Sequence, residues 1–307
     1  MGRYAVRRLL QVVPVFIGTT FLIFALVFAI PGDPIRALSG DRPVPLSTLS
    51  VLRDRYHLDD PLVVQYGKYM AGLVRGDFGQ DYNGRPVADI MAQRFPITAK
   101  LTLVAFVFEL VLGLLAGILA ALRRRSLTDT LVLVSTTAIV SIPTFVLGFT
   151  AQLLLGVKLR WFPISGVTEG WYGYLLPGFV LGALSLAYVA RLTRTSLVEN
   201  LRADYVRTAT AKGLTRRRVV GRHALRNSLI PVVTYLGIDF GSLLGGAIVT
   251  EGIFNIPGIG QQVFQSVRQQ EGPVVVGIVT ALVLVFILAN LAVDLLYGVL
   301  DPRIRYE

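Results

Sequence analysis

Apolar residues gather in six long blocks, at 9–30, 101–122, 131–157, 174–190, 229–250 and 274–300, separated by polar, proline- and glycine-containing or strongly basic segments. A hydrocarbon layer about 30 Å thick takes roughly 20 residues of helix to cross. It offers no partner for free backbone N–H and C=O groups, so each block predicts one transmembrane α-helix. The expected fold is an all-α membrane protein with six spans, which puts both termini on one side. Arg3, Arg7 and Arg8 precede the first block in the manner of a secretion signal. Its apolar run is too long for such a signal and no small-residue cleavage site follows, so an uncleaved anchor is expected.

Charge fixes the orientation. With a cytoplasmic amino terminus, the inside segments are 1–8, 123–130, 191–228 and 301–307, and they hold 18 of the 30 Lys and Arg residues against five acids, a charge of +13. Everything else carries −2, so the whole net charge of +11 lies inside, as the positive-inside rule requires. A nucleic-acid surface is the competing reading of the charge, but the basic loop is tied to spans at both ends. Both termini are therefore expected in the cytoplasm, with one long extracytoplasmic segment after the first helix. The chain divides into residues 1–30 with the first span, an extracytoplasmic segment 31–98, and a five-helix core 99–307 containing a cytoplasmic loop, 199–228.

Composition narrows the chemistry. The chain is 53% apolar and 16% charged, with a mean hydropathy of +0.63, no cysteine and two histidines. Disulfides, thiolate chemistry and Cys- or His-based metal sites are thereby excluded. Pro31-Gly32-Asp33-Pro34 stops the first helix, and the segment beyond, with Tyr56, Tyr66 and Tyr69, suits short amphipathic helices on the outer face. Trp161, Phe162, Trp171, Tyr172 and Tyr174 read as anchors at the headgroup level. The link 251–260 is too apolar for a solvated loop and too rich in Gly and Pro for a span, so it is expected to fold back on the protein.

The loop between the fourth and fifth blocks has the pattern of two short helices hinged at Gly213, where a glycine ends the first helix in a left-handed turn and the Thr215 side chain caps the second. Tyr205, Ala209 and Lys212 fall on one face of the first helix, and Val206 and Thr210 on the neighbouring one. So short a pair needs a partner surface, which implies a cytoplasmic subunit. At membrane depth the acids are Glu109, Asp239 and Asp294. Each is costly against lipid and is expected to face protein or water.

These features resemble a known family, the inner-membrane permeases of ATP-binding-cassette importers of the dipeptide, oligopeptide and nickel class, B-type subunit. The resemblance runs along nearly the whole chain. It rests on Arg8-Leu-Leu-Gln-Val-Val-Pro14, Pro31-Gly-Asp-Pro34, Gly84-Arg-Pro-Val87, Ser141-Ile-Pro-Thr-Phe145, Asp204-Tyr-Val-Arg-Thr-Ala209 and Ala211-Lys-Gly213. It continues through Arg222-His-Ala-Leu-Arg-Asn227, Glu251-Gly-Ile-Phe254, Pro257-Gly-Ile-Gly260 and Asp301-Pro-Arg303. Against the cytoplasmic signature of such permeases (Glu-Ala-Ala, three residues, Gly, nine residues, Ile, one residue, Leu-Pro), Gly213, Ala209 and Leu225 match. Arg207, Thr208, His223 and Arg226 stand in place of Glu, the first Ala, Ile and Pro.

The resemblance implies a non-catalytic permease subunit in the bacterial inner membrane, moving di- or oligopeptides by alternating access. It also implies a homologous C-type permease as heterodimer partner, one or two cytoplasmic ATPase subunits and an extracytoplasmic binding protein. On this reading the ATPase-coupling loop comprises Tyr205, Arg207, Thr208, Ala209, Lys212, Gly213, Arg217, His223 and Leu225, and the translocation path includes Asp239, Glu251 and Glu109. No Gly-x-x-x-x-Gly-Lys-Ser/Thr cradle is present. ATP and Mg are accordingly expected on the partner subunits and no cofactor on this chain. An ion-coupled carrier relaying protons through Glu109, Asp239 and Asp294 is the alternative, and it leaves the hinged loop unexplained. An intramembrane enzyme lacks a nucleophile and base at membrane depth.

Overall fold

The structure, a computed structural model, describes residues 2–28 and 60–300, with side chains over 10–28 and 60–292. The Pro31–Pro34 turn, Tyr56, the Asp294 side chain and the closing Asp301-Pro-Arg303 lie outside the described residues. The order is α1 (Gly2–Phe28), α2 (Leu62–Leu73), α3 (Val87–Leu122), α4 (Leu127–Ser141), α5 (Thr144–Lys158), α6 (Tyr172–Asn200), α7 (Asp204–Ala211), α8 (Arg216–Phe254), α9 (Ile259–Arg268) and α10 (Gly272–Leu300). Among the described residues the only β pairing is an isolated bridge between Gln80 and Pro86.

Five helices are long and apolar enough to cross a membrane, over Leu10–Phe28, Val87–Leu122, Tyr172–Asn200, Arg216–Phe254 and Gly272–Ala292. The sixth expected crossing is not a straight helix. Instead of one straight helix over 131–157, α4 and α5 meet at 106°. Pro143, in extended backbone with no N–H to give, stands at the corner. α3 has 36 residues and α8 has 39, about 54 and 58 Å of helix, so both outrun the bilayer. The second helix expected in the basic loop is the inner end of α8 itself, continuous with the span through a π-helical turn, Val219–Ala224. The Thr215 side chain makes no capping bond; its carbonyl instead accepts from the amides of Arg218 and Val219. The Gly- and Pro-rich link is shorter than its sequence suggests, because Glu251–Phe254 continue α8, and it leads into α9, a short amphipathic helix that hydropathy does not reveal.

Packing divides the chain into two units, residues 1–98 with 257–307, and residues 99–256. In the first, α1 packs on α10 and α2, and α9 on α10. Its core joins Val87 and Ile90 to Ile259 and Val263 of α9 and Val274 and Ile278 of α10. A Cβ on Gly277 would stand 2.3 Å from the Phe78 carbonyl oxygen, so only glycine lets these segments touch. The Ile259 amide at the start of α9 donates to the Thr98 hydroxyl, 2.8 Å away. Tyr66 of α2 donates to the Ile17 carbonyl (3.1 Å) and packs edge-on against Phe21 and Phe24, while Tyr69 lies on Phe24, pinning α2 onto α1.

In the second unit α6 is the axle. It is buried along most of its length and packs against α3, α4, α5 and α8. Small residues permit the close crossing with α3. An added Cβ would meet the Ala190 carbonyl oxygen at 2.5 Å from Gly117, and the Ala105 carbonyl oxygen at 2.7 Å from Gly182. Of the expected aromatic anchors, Trp161, Trp171 and Tyr172 are exposed, and Phe162 stacks on Tyr172. Tyr174 is buried and serves the core of this unit rather than the lipid interface.

Candidate functional site

The inner end of the second unit is built around α7. Its helix ends in the pattern that a left-handed residue dictates: the Gly213 amide donates to the Thr210 carbonyl (2.9 Å) and the Leu214 amide to the Ala209 carbonyl (3.3 Å). Gly213 has φ +79 with open space around it, so the constraint is on backbone shape and not on volume. Leu214 then folds back beside Ala209. Both belong to an apolar cluster with Val206, Ala121 of α3, Leu197 of α6, and Val219 and Ala224 of α8. The elbow is thus fixed to two spans besides the one it leads into.

The expected coupling residues separate by face. Tyr205, Arg207, Thr208, Lys212, Gly213 and Arg217 are exposed. Ala209 is buried against the chain's own core and Leu225 packs on the same cluster, so these two hold the elbow in place rather than present it. His223 is half-buried in the π-helical turn. The Tyr205 hydroxyl donates to Asn200 Oδ1, and Asn200 Nδ2 to the Ser196 carbonyl (2.9 Å), linking α7 to the last turns of α6. Arg207 and Asp204 form a 3.4 Å surface pair, worth little in water.

One feature of this end escaped the sequence reading. Asp129 in the first turn of α4 is almost fully buried and accepts from Arg194 Nε and Nη2 of α6, at 2.5 and 2.8 Å. Its Oδ2 also accepts the Arg125 amide (2.9 Å), and Ser126 caps the same turn. Ser126-Leu-Thr-Asp129 before an apolar run is a capping signature legible in the sequence. The long-range partner is not, because nothing local says which arginine will arrive.

The acids at membrane depth divide as well. Glu109 of α3 and Asp239 of α8 come together, with Tyr235 donating to Asp239 Oδ1 at 3.2 Å. Glu109 begins a π-helical turn, Glu109–Gly113, the kind of interruption that gathers at functional positions. Glu251, also buried, lies twelve residues further along α8, about 18 Å by helical rise, and sits near Tyr174 instead.

Comparison with known proteins gives the family. Residues 113–306 match the family described as binding-protein-dependent transport system inner membrane component, and residues 1–102 match its N-terminal counterpart. The glutathione transport system permease protein GsiC of Escherichia coli is 41% identical over 308 residues, covering 100% of both chains, and that of Shigella flexneri is likewise 41% identical. Among solved structures, the MetNI methionine ABC transporter in an inward-facing conformation is similar in fold, with a TM-score of 0.58 at 20% identity, covering 69% of this chain and 96% of that one. The chain belongs to the binding-protein-dependent transport system inner membrane components: it is a non-catalytic, multi-pass inner-membrane permease subunit of an ATP-binding-cassette importer, a family that works with a partner permease, a separate ATPase and a binding protein.

Proposed function

We propose that this permease is one half of a heterodimeric gate, paired with a homologous C-type subunit, that admits short peptides or glutathione-like molecules with charged ends. The relatives' glutathione transport supports the cargo class. One or two kinds of ATPase subunit, carrying ATP and Mg, seat on the α7–Gly213 elbow. Their closure moves the elbow as a stiff lever that tilts α6 and α8 and turns the path from one membrane face to the other. Asp239, partly exposed on α8, meets the substrate's ammonium group.

The observation that carries this reading is the two-faced elbow, with Val206, Ala209 and Leu214 locked into the spans and Tyr205, Arg207, Thr208 and Lys212 left facing out. A loop that only set topology would need its charges and not this docking. Replacing Gly213 with Val forces a side chain into a left-handed turn, at about 1–2 kcal/mol, and reshapes the lever without touching any nucleotide site. In proteoliposomes holding the full complex, Gly213→Val is expected to keep ATP binding and assembly while uptake per ATP hydrolysed falls several-fold. Gly213→Asn, which tolerates that backbone, retains most coupling. Unchanged uptake per ATP in the Val variant would sink the lever.

A further inference from the structure

Two carboxyl groups meet inside the second unit with no basic side chain against them among the described residues. Glu109 is 0% exposed, and the charged group facing it is Asp239. The helices around them are held by Phe106 edge-on to Phe240 (5.3 Å) and by Tyr188 against Tyr235 (6.1 Å). Tyr235 satisfies Asp239 Oδ1, and Ser185 of α6 lies beside the same hydroxyl. Three oxygens are left over: both of Glu109 and Oδ2 of Asp239 are buried without a hydrogen-bond partner among the described residues. No Lys, Arg or His among the described residues pairs with either acid. The titratable group facing the pair is Tyr235 from α8, with Tyr188 of α6 against its ring, and the turns of α3 on either side of Glu109 contribute none.

Two ionised carboxylates would bring two charges of one sign together, the one on Glu109 fully buried, each with only acceptors to offer. One proton changes the chemistry. A carboxylic acid is a donor, so protonating one member turns two stranded acceptors into a hydrogen bond and removes one of the two charges. We infer that Glu109 and Asp239 share a single proton, carried on Glu109 and donated to Asp239 Oδ2, so that the pair presents one negative charge on the partly exposed Asp239. Glu109, sealed from the path, is then a positioning residue. It fixes the direction of the Asp239 carboxylate and keeps the site monovalent, matched to a single ammonium. This deepens the reading of Asp239 as the group that meets substrate, but the proton itself can be observed without substrate.

Infrared difference spectroscopy on the purified complex provides that observation. The wild-type complex should show a protonated-carboxyl C=O band at neutral pH that shifts on deuteration and disappears once the pair is fully ionised. Glu109→Gln should lack it. A band absent from the wild type, or unchanged in Glu109→Gln, overturns the proposal, as does a band that vanishes in sodium buffer and returns in choline buffer at the same pH, which would make a metal ion the occupant. Should Glu109→Gln fail to assemble, Tyr235→Phe decides: loss of the donor to Asp239 should keep the band and move its frequency, and an unmoved band places the proton elsewhere. In uptake assays the wild type should lose activity several-fold over the pH range in which the band disappears, whereas Glu109→Gln, whose amide donates at every pH, should show no fall over that range. The same fall in both overturns the positioning role. If the band behaves as stated while Asp239→Asn leaves peptide uptake unaltered, the proton stands and it is the substrate contact that fails.

Discussion

At the scale of single residues, the inner end of the bundle depends on the Asp129–Arg194 pair, 5% and 20% exposed. A buried pair can be neutral in net stability, but removing one partner leaves a charge without compensation, at about 3–5 kcal/mol. Arg194→Leu is therefore expected to lower the melting temperature of the purified complex strongly, and Asp129→Leu with Arg194→Leu should recover much of the loss. Two additive losses would show that the pair does not couple. A milder charge sits on the outer side of the first unit. Burial, the larger cause, and the neighbouring Asp81 raise the Glu271 carboxyl above its ordinary range, against the opposing bond from Ser266. A raised folded value means stability that is complete at low pH and lost as pH rises through that value. Amide exchange over residues 266–275, corrected for intrinsic rates, should show greater protection as pH falls toward the ordinary glutamate range. Glu271→Gln should flatten that trend.

At the scale of elements, helix crossings here are set by what is missing from Gly113, Gly117, Gly178 and Gly182. Gly117→Ala pushes a methyl against the Ala190 carbonyl and should destabilise by about 1–3 kcal/mol. Gly245→Ala, with open space on α8, should be neutral or better in the same thermal assay. Equal effects would show that the crossing tolerates a wider gap. The hydropathy blocks place all these spans within a few residues on their apolar sides, because the lipid requirement is written directly in composition. They are silent where the physics is not apolar: the outer start of α3 at Val87, the inner start of α8 at Arg216 and the whole of α9. The corner at Pro143 lies inside an apolar block, where hydropathy sees only continuity. The elbow was more legible, since Gly213 announces a left-handed turn, yet which face docks was not. Ala209 reads as a contact for the ATPase until Ala121 and Leu197, distant in sequence, are seen packed against it. Glu109 and Asp239 stand out in the sequence as charges in apolar runs, but their pairing is a property of the helix crossing alone.

At the scale of the whole molecule, one question joins the charge pattern to the function: whether the basic inner face exists to orient the chain or to hold the ATPase. The two purposes can be separated by arithmetic. Arg216, Arg217 and Arg218 are all exposed at the start of α8, beside the elbow. Changing the three to Glu removes six units and takes the inside segments from +13 to +7, against −2 elsewhere, so the inside excess that sets topology survives. A docking surface has no such reserve, because attraction acts over about 8–10 Å at physiological ionic strength and is felt where the charges sit. The triple variant is expected to insert with unchanged topology, read by cysteine labelling from each side of the membrane on positions added to this cysteine-free chain. Its ATPase subunits should co-purify poorly at low salt, with the deficit against the wild type narrowing as salt screens both. If the ATPase stays bound and the termini change sides instead, the basic stretch serves orientation, and the exposed face of α7 must hold its partner through Tyr205, Thr208 and backbone shape.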